Sequence, residues 1–198
     1  MARRVERTAA TILACFAFVS ASAASADADP RPFDRPFGLA IEGVGWAGDY
    51  AAAGGGARAR WEPFERLGVE VFAQSLIVEN DGGMRHDHPV GFNAYVPFDL
   101  SEAIRLRPLF GFCAVISMID PEERGAPRAD DVLFGVHGGA GIEIGFASDW
   151  SFFIDVQGIA WLGHTRSAQG WTGSVDGDYT TYGVVEATAG LQLHLGEP

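Results

Sequence analysis

Residues 181–195, TYGVVEATAGLQLHL, put Val185, Ala187, Ala189, Leu191, Leu193 and Leu195 on one side of an extended chain, with Thr181 and Gly183. The other side carries Tyr182, Val184, Glu186, Thr188, Gly190, Gln192 and His194. Side chains alternate across a strand, so a period of two reads as strand, here with one greasy face and one polar face. The same division recurs upstream. In 150–165, Phe152, Ile154, Val156, Gly158, Ala160 and Leu162 oppose Ser151, Phe153, Asp155, Gln157, Ile159 and Trp161. In 132–146, Val132, Phe134, Val136, Ala140, Ile142 and Ile144 oppose Leu133, Gly135, His137, Gly139, Gly141 and Glu143.

Four earlier segments fit the scheme: 104–118, 89–98, 67–78 and 37–47. An eighth strand falls at 57–62, where Ala57, Ala59 and Trp61 alternate with Arg58, Arg60 and Glu62. The intervening links run 48–56, 63–66, 79–88, 99–103, 119–131, 147–149 and 166–180, long and short by turns. With antiparallel neighbours, the long links share one rim and the short turns the other. Twelve residues at about 3.3 Å each give about 40 Å of strand. A tilt of about 40° leaves roughly 30 Å along the axis, enough for an apolar band of about 25 Å. The fold class expected is therefore all-β, an eight-stranded antiparallel up-and-down transmembrane barrel with short periplasmic turns and longer external loops.

Alternation alone leaves the inner face undecided. A soluble exported barrel binding an apolar ligand would place the greasy set inside. Two features favour the reverse. The polar set is poor in charge for a water-facing wall and rich in glycine, which suits a narrow packed interior; and the chain has no lysine. On that reading the interior collects Glu42, Arg58, Arg60, Glu62, Glu70, Gln74, Asn93, Arg105, Arg107, His137, Glu143, Asp155, Gln157, Glu186, Gln192 and His194. Isolated buried charge is costly, so these groups must pair. Arginine, whose planar fork bridges several acceptors, suits a plug with at most a very narrow pore.

The first 26 residues precede this pattern. Arg3, Arg4 and Arg7, an apolar stretch from Thr8 to about Val19, and Ala24-Ser25-Ala26 have the order of a cleavable export signal. Residues 27–36 read as a proline- and charge-rich lead-in, and 37–198 as the barrel domain. Removing the signal takes away three of 14 arginines and one of 26 acidic residues, leaving 11 against 25, net −14. That balance argues against a nucleic-acid partner. Cys113 is then the single cysteine, so no intrachain disulfide is available.

Few constellations carry chemistry. His86 and His88 flank Asp87 in the 79–88 link and read as a polar external loop before a metal-touching one. Asp120, Glu122, Glu123, Asp130 and Asp131 form an acidic link where divalent cations among lipopolysaccharide phosphates would find oxygen ligands. Hydrolysis would need a nucleophile beside an imidazole; His164 with Ser167, and His137 with Glu143, are the nearest approaches to a lipid-modifying enzyme. Neither has an evident orienting group, so no catalytic residue, cofactor or metal site is assigned.

The stretches ERLGVEVFAQSLIV, VGFNAYVPFDL, IRLRPLFGFCAV, VLFGVHGGAGIEIGFASDWSFFIDVQGIAWL and YGVVEATAGLQLHLG resemble the small eight-stranded outer-membrane barrels, the group that includes the membrane domain of outer membrane protein A. The resemblance implies a structural, adhesive or weakly pore-forming monomer in the cell outer membrane. It implies contacts with lipid, lipopolysaccharide and the barrel-insertion machinery, with Arg105, Arg107, Glu143 and Glu186 in an inner network. Members of that group commonly end in an aromatic residue, whereas this chain closes QLHLGEP.

Overall fold

The computed structural model describes residues 32–48, 51–80, 83–121, 129–164 and 179–197. Eight long strands follow in order: β1 (Phe37–Gly48), β2 (Ala52–Phe64), β3 (Leu67–Asn80), β4 (Gly83–Tyr95), β5 (Ile104–Pro121), β6 (Ala129–Gly145), β7 (Trp150–His164) and β8 (Tyr179–Leu195). Each pairs antiparallel with its neighbours in the chain, and β1 also pairs with β8, so the sheet closes. A two-residue strand, Phe98–Asp99, adds to the start of β5. The export signal expected over 1–26 lies outside the described residues. No helix among them is long and apolar enough to cross a membrane.

Polar and apolar faces divide as the alternation predicts, and the side that faces the axis is the charged one. Phe110, Ile142 and Leu191 are 69%, 45% and 42% exposed, while Arg105, Glu143 and Glu186 are 6%, 0% and 2% exposed. A water-soluble calyx needs the opposite arrangement, so that alternative is set aside. Outside, Phe37 stacks on Trp61 at 6.4 Å between centroids. With Phe64, Phe98, Phe146 and Trp150, also exposed, they ring the end of the barrel that holds the start of β1 and the end of β8. We call this the terminal end and the opposite one the far end.

Two links expected as loops are largely strand. The 48–56 link is reduced to 49–51, and β2 has 13 residues rather than the six read at 57–62. The run Gly54-Gly55-Gly56 punctuates loops in many sequences. Here it pairs in register with Val44, Gly43 and Glu42 of β1, and β3 runs too close to Gly54 and Gly56 for a side chain. A Cβ on Gly54 would lie 1.9 Å from the Ser75 carbonyl oxygen. The 79–88 link is likewise strand except for Asp81-Gly82. Asp-Gly is a strong two-residue hairpin signal, and the charged residues after it belong to β4's inner face. Long and short links therefore do not alternate throughout. At the terminal end the link between β4 and β5 spans 96–103, longer than these two far-end connections. The widest gaps between strands, 122–128 and 165–178, do lie at the far end.

The interior has two halves. Toward the terminal end it is charged and hydrogen-bonded. Toward the far end it is a mainly apolar core of Val44, Trp46, Phe72, Leu76, Val78, Val115, Leu133, Ile159, Trp161 and Val184, with one buried polar group, Arg85, Asp87 and Ser117, among them. The alternation reading already sets Leu133, Ile159, Trp161 and Val184 on the inner face with the polar residues; the structure gathers them at one end, away from the charged half.

Candidate functional site

Inward glycines prepare the charged half. A Cβ on Gly68 would fall 2.0 Å from the Tyr95 ring, and one on Gly190 would fall 2.7 Å from Phe153. With no side chain at either point, both rings lie flat against the wall and offer a face to the axis. Arg58 sits over Phe153 at 4.5 Å, and Arg60 and Arg107 sit over Tyr95 at 5.1 and 5.3 Å. A guanidinium over a ring face is held by the ring quadrupole, and more strongly where water is excluded.

Arg58 on β2 is the hub. Its fork donates to Glu42 on β1, to Glu70 on β3 at 3.0 Å, to Asp155 on β7 at 2.6 Å and to the Thr188 hydroxyl on β8 at 3.2 Å. Arg60 donates to Glu143 at 2.7 Å, and Arg107 donates to Asp155 at 2.8 Å. Looser ion pairs of 3.4–3.6 Å tie Arg60 and Arg107 to Glu70, and Arg107 to Glu143. Seven strands, all but β4, are thereby cross-linked through the axis. Such pairing offsets the desolvation of buried charge where lone pairs and protons are met closely, and less so at Arg60 Nε, Arg107 Nη1 and Glu70 Oε2, which have ion-pair distances at best and no hydrogen bond.

At the terminal end Arg105 donates to Asp99 at 2.6 Å and Glu62 at 2.9 Å. Its guanidinium stacks at 4.5 Å over Phe33. Phe33 belongs to a short 3-10 turn, Pro32–Asp34, whose Pro32 and Phe33 are buried. Residues 32–36, expected as part of a loose lead-in, thus stopper the barrel mouth, and Arg35 donates to the Gly196 carbonyl at 3.1 Å.

Of the interior residues named from sequence, Glu42, Arg58, Arg60, Glu70, Arg107, Glu143 and Asp155 converge in the network, and Glu62 and Arg105 meet at the mouth. His137 and Glu186 lie apart from both groups. Glu186 accepts from Trp46 Nε1 and Gln157 Nε2, each at 2.6 Å. His137 contacts Asn93 through Nε2 and the Cys113 Sγ, at 3.4 Å, through Nδ1.

His137 and Glu143 share no contact, and the side chains of His164 and Ser167 lie outside the described residues. An unforeseen serine–histidine–carboxylate group does form: Ser151 Oγ donates to Glu143 at 2.5 Å, and His194 Nε2 lies 2.8 Å from Ser151 and 3.0 Å from Glu143. A relay needs the base to meet nucleophile and orienter through different ring nitrogens. Here both partners meet one nitrogen and also touch each other, and Ser151 is sealed from solvent. The cluster cross-links strands.

Alternation overlooked one inner group near the far end. Asp87 accepts from Arg85 Nε at 2.8 Å and from Ser117 Oγ at 2.6 Å, all three buried. Arg85, Asp87 and Pro89 continue the inward phase of Asn93 and Tyr95, a signal hidden by reading the charges as loop. Among the described residues no three His, Cys, Asp or Glu side chains gather as a metal ion requires. The acidic residues 120–131 have no described side chains. A shallow groove of about 540 Å³, touching Ala47, Gly158, Ala160 and Gly183, opens on the outer wall and not into the interior.

The barrel fold is matched by a solved structure, the Neisserial surface protein A. It aligns with a TM-score of 0.60 over 80% of this chain and 96% of its own, at 10% identity. The fold is that of a small outer-membrane barrel. Looser alignments, each with a TM-score of 0.46, cover the N-terminal barrel domain of Pseudomonas aeruginosa OprF (79% of this chain, 97% of that one, 13% identity) and Yersinia pestis Ail (80%, 97%, 14%). No family model and no curated protein matches the chain. The inner network cross-braces the wall, so this charged cluster reads first as architecture.

Proposed function

We propose that the protein is a monomeric outer-membrane barrel with a structural or surface-interaction role, its terminal end toward the periplasm and its far end outward. The carrying observation is the apolar outer wall around a charged, cross-braced interior. Hydrocarbon tolerates only a backbone whose hydrogen bonds are all internal, which a closed barrel provides. The aromatic ring at the terminal end suits a membrane–water interface. On this reading residues 1–26 are the export signal, 27–36 the lead-in and 37–198 the barrel domain. Partners are membrane lipid, lipopolysaccharide, the insertion machinery, and divalent cations at the acidic 120–131 stretch.

The interior supports a closed role rather than a channel. An ion entering from the terminal end meets Phe33, then the arginine network, then the apolar half, where hydration is lost. The test has two arms. In the first, the mature chain is diluted from denaturant into detergent micelles, phospholipid vesicles or plain buffer. Folding with heat-modifiable gel migration is expected in the two amphiphiles only; a folded monomer in plain buffer would refute the membrane reading. In the second, planar-bilayer recording is expected to show no steady conductance, and a stable open level would refute the closed interior.

A further inference from the structure

We propose that His86, His88 and Met118 form a site for a copper-class ion on the outer wall near the far end. His86 and His88 lie in continuous strand β4, whose alternation buries Arg85, Asp87 and Pro89 and leaves both imidazoles half-exposed on the outer face. Met118 of β5 is on the same face and stands directly opposite His86 in the register. Two residues along a strand are about 6.7 Å apart, and directly opposite partners bring their Cβ atoms to about 5 Å. Two imidazoles and a thioether thus point outward from three neighbouring positions, with His86 at the corner.

The wall behind fixes them. Asp87, between the histidines, accepts from Ser117, the residue before Met118, at 2.6 Å, and from Arg85 at 2.8 Å. That inner anchor sets the rotation of both strands. It also commits the one carboxylate of the His-Asp-His run to the interior, so what β4 itself offers outward here is imidazole; on the next strand Asp130 of β6 stands opposite Met118 in the register. Ile77 and Ile116, the outward neighbours of His86 and His88 in register, are apolar and exposed. Hard cations want oxygen ligands. Imidazole with thioether is the set that selects copper, most of all Cu(I).

The site depends on strand register and facing alone, so it stands whichever solvent the wall meets. The experiment is an anaerobic Cu(I) titration of the folded protein in detergent against a chromophoric chelator. One tightly held ion per chain is expected. Met118→Leu should weaken it by about tenfold or more, and His86→Asn with His88→Asn should abolish it. Retained binding in the double histidine variant would overturn the site, as would loss on replacing Cys113, which would assign the ion to the buried Cys113–His137 pair. An unchanged affinity in Met118→Leu would overturn the copper-class set. Should a variant not fold, histidine carbethoxylation of the wild type decides: bound Cu(I) is expected to shield His86 and His88, and failure to shield them refutes the proposal.

Discussion

Replacing Arg58 with methionine removes the cation that hydrogen-bonds carboxylates from three strands. Asp155 would keep Arg107 at 2.8 Å, and Glu70 would keep Asn93 at 2.8 Å and the looser reach of Arg60 and Arg107. Glu42 would keep only the Gln74 amide at 2.9 Å. The loss is therefore one stripped buried carboxylate rather than three, and breaking a single buried pair costs about 3–5 kcal/mol. That is roughly a hundred- to several-thousand-fold in the folding equilibrium. With a urea dependence of about 2 kcal/mol/M, the midpoint should fall by about 1.5–2.5 M. The assay is urea unfolding in lipid vesicles followed by tryptophan fluorescence, with Trp46 and Trp161 buried in the interior as reporters. Adding Glu42→Gln should restore a good part of the loss, because it removes the charge left unpaired. A drop below about 1 kcal/mol, or a double variant weaker than the single one, would refute the account of the network as a set of coupled buried pairs.

Phe110→Arg on the outer wall should cost about 2–4 kcal/mol when the barrel is folded into vesicles, read as a lowered unfolding midpoint; an unchanged midpoint would contradict hydrocarbon contact. Two glycines should part company. Gly54→Ala meets the Ser75 carbonyl oxygen at 1.9 Å and should block folding, whereas Gly158→Ala has open space around its Cβ and should fold with wild-type gel migration. Phe33→Ala should release the stopper, so exchange of the Asp34 and Arg35 amides rises by about tenfold or more as local opening becomes easier. Planar-bilayer conductance should stay absent in that variant, because the apolar half still blocks the axis.

How much was legible beforehand can be judged element by element. The division of β6, β7 and β8 was plain, because three long strands repeat one alternation and a sheet face has no other period. The strand β2 was read too short and β4 was begun late for a shared reason. Gly54-Gly55-Gly56 and Arg85-His86-Asp87-His88 are loop residues by local chemistry, and only the neighbouring strand turns them into wall and lining. The interior residues from Glu42 to His194 could be named from phase alone, but their partners could not. Arg58 reaches Asp155 across 97 positions of chain, and no spacing rule links them. The Ser151–Glu143–His194 cluster and the Phe33 stopper were unforeseen, since each joins elements distant in sequence.

The sequence by itself determined a closed wall with unlike faces, because period-two alternation fixes which side chains share a face and links joining neighbouring strands admit an up-and-down order. Tertiary structure alone decided which carboxylate each guanidinium meets, that the inward apolar residues gather into one core, and that the pre-barrel turn closes the mouth. Those outcomes depend on the stagger and tilt of eight strands around a common axis, and a difference of one register step would hand every inward side chain a different partner.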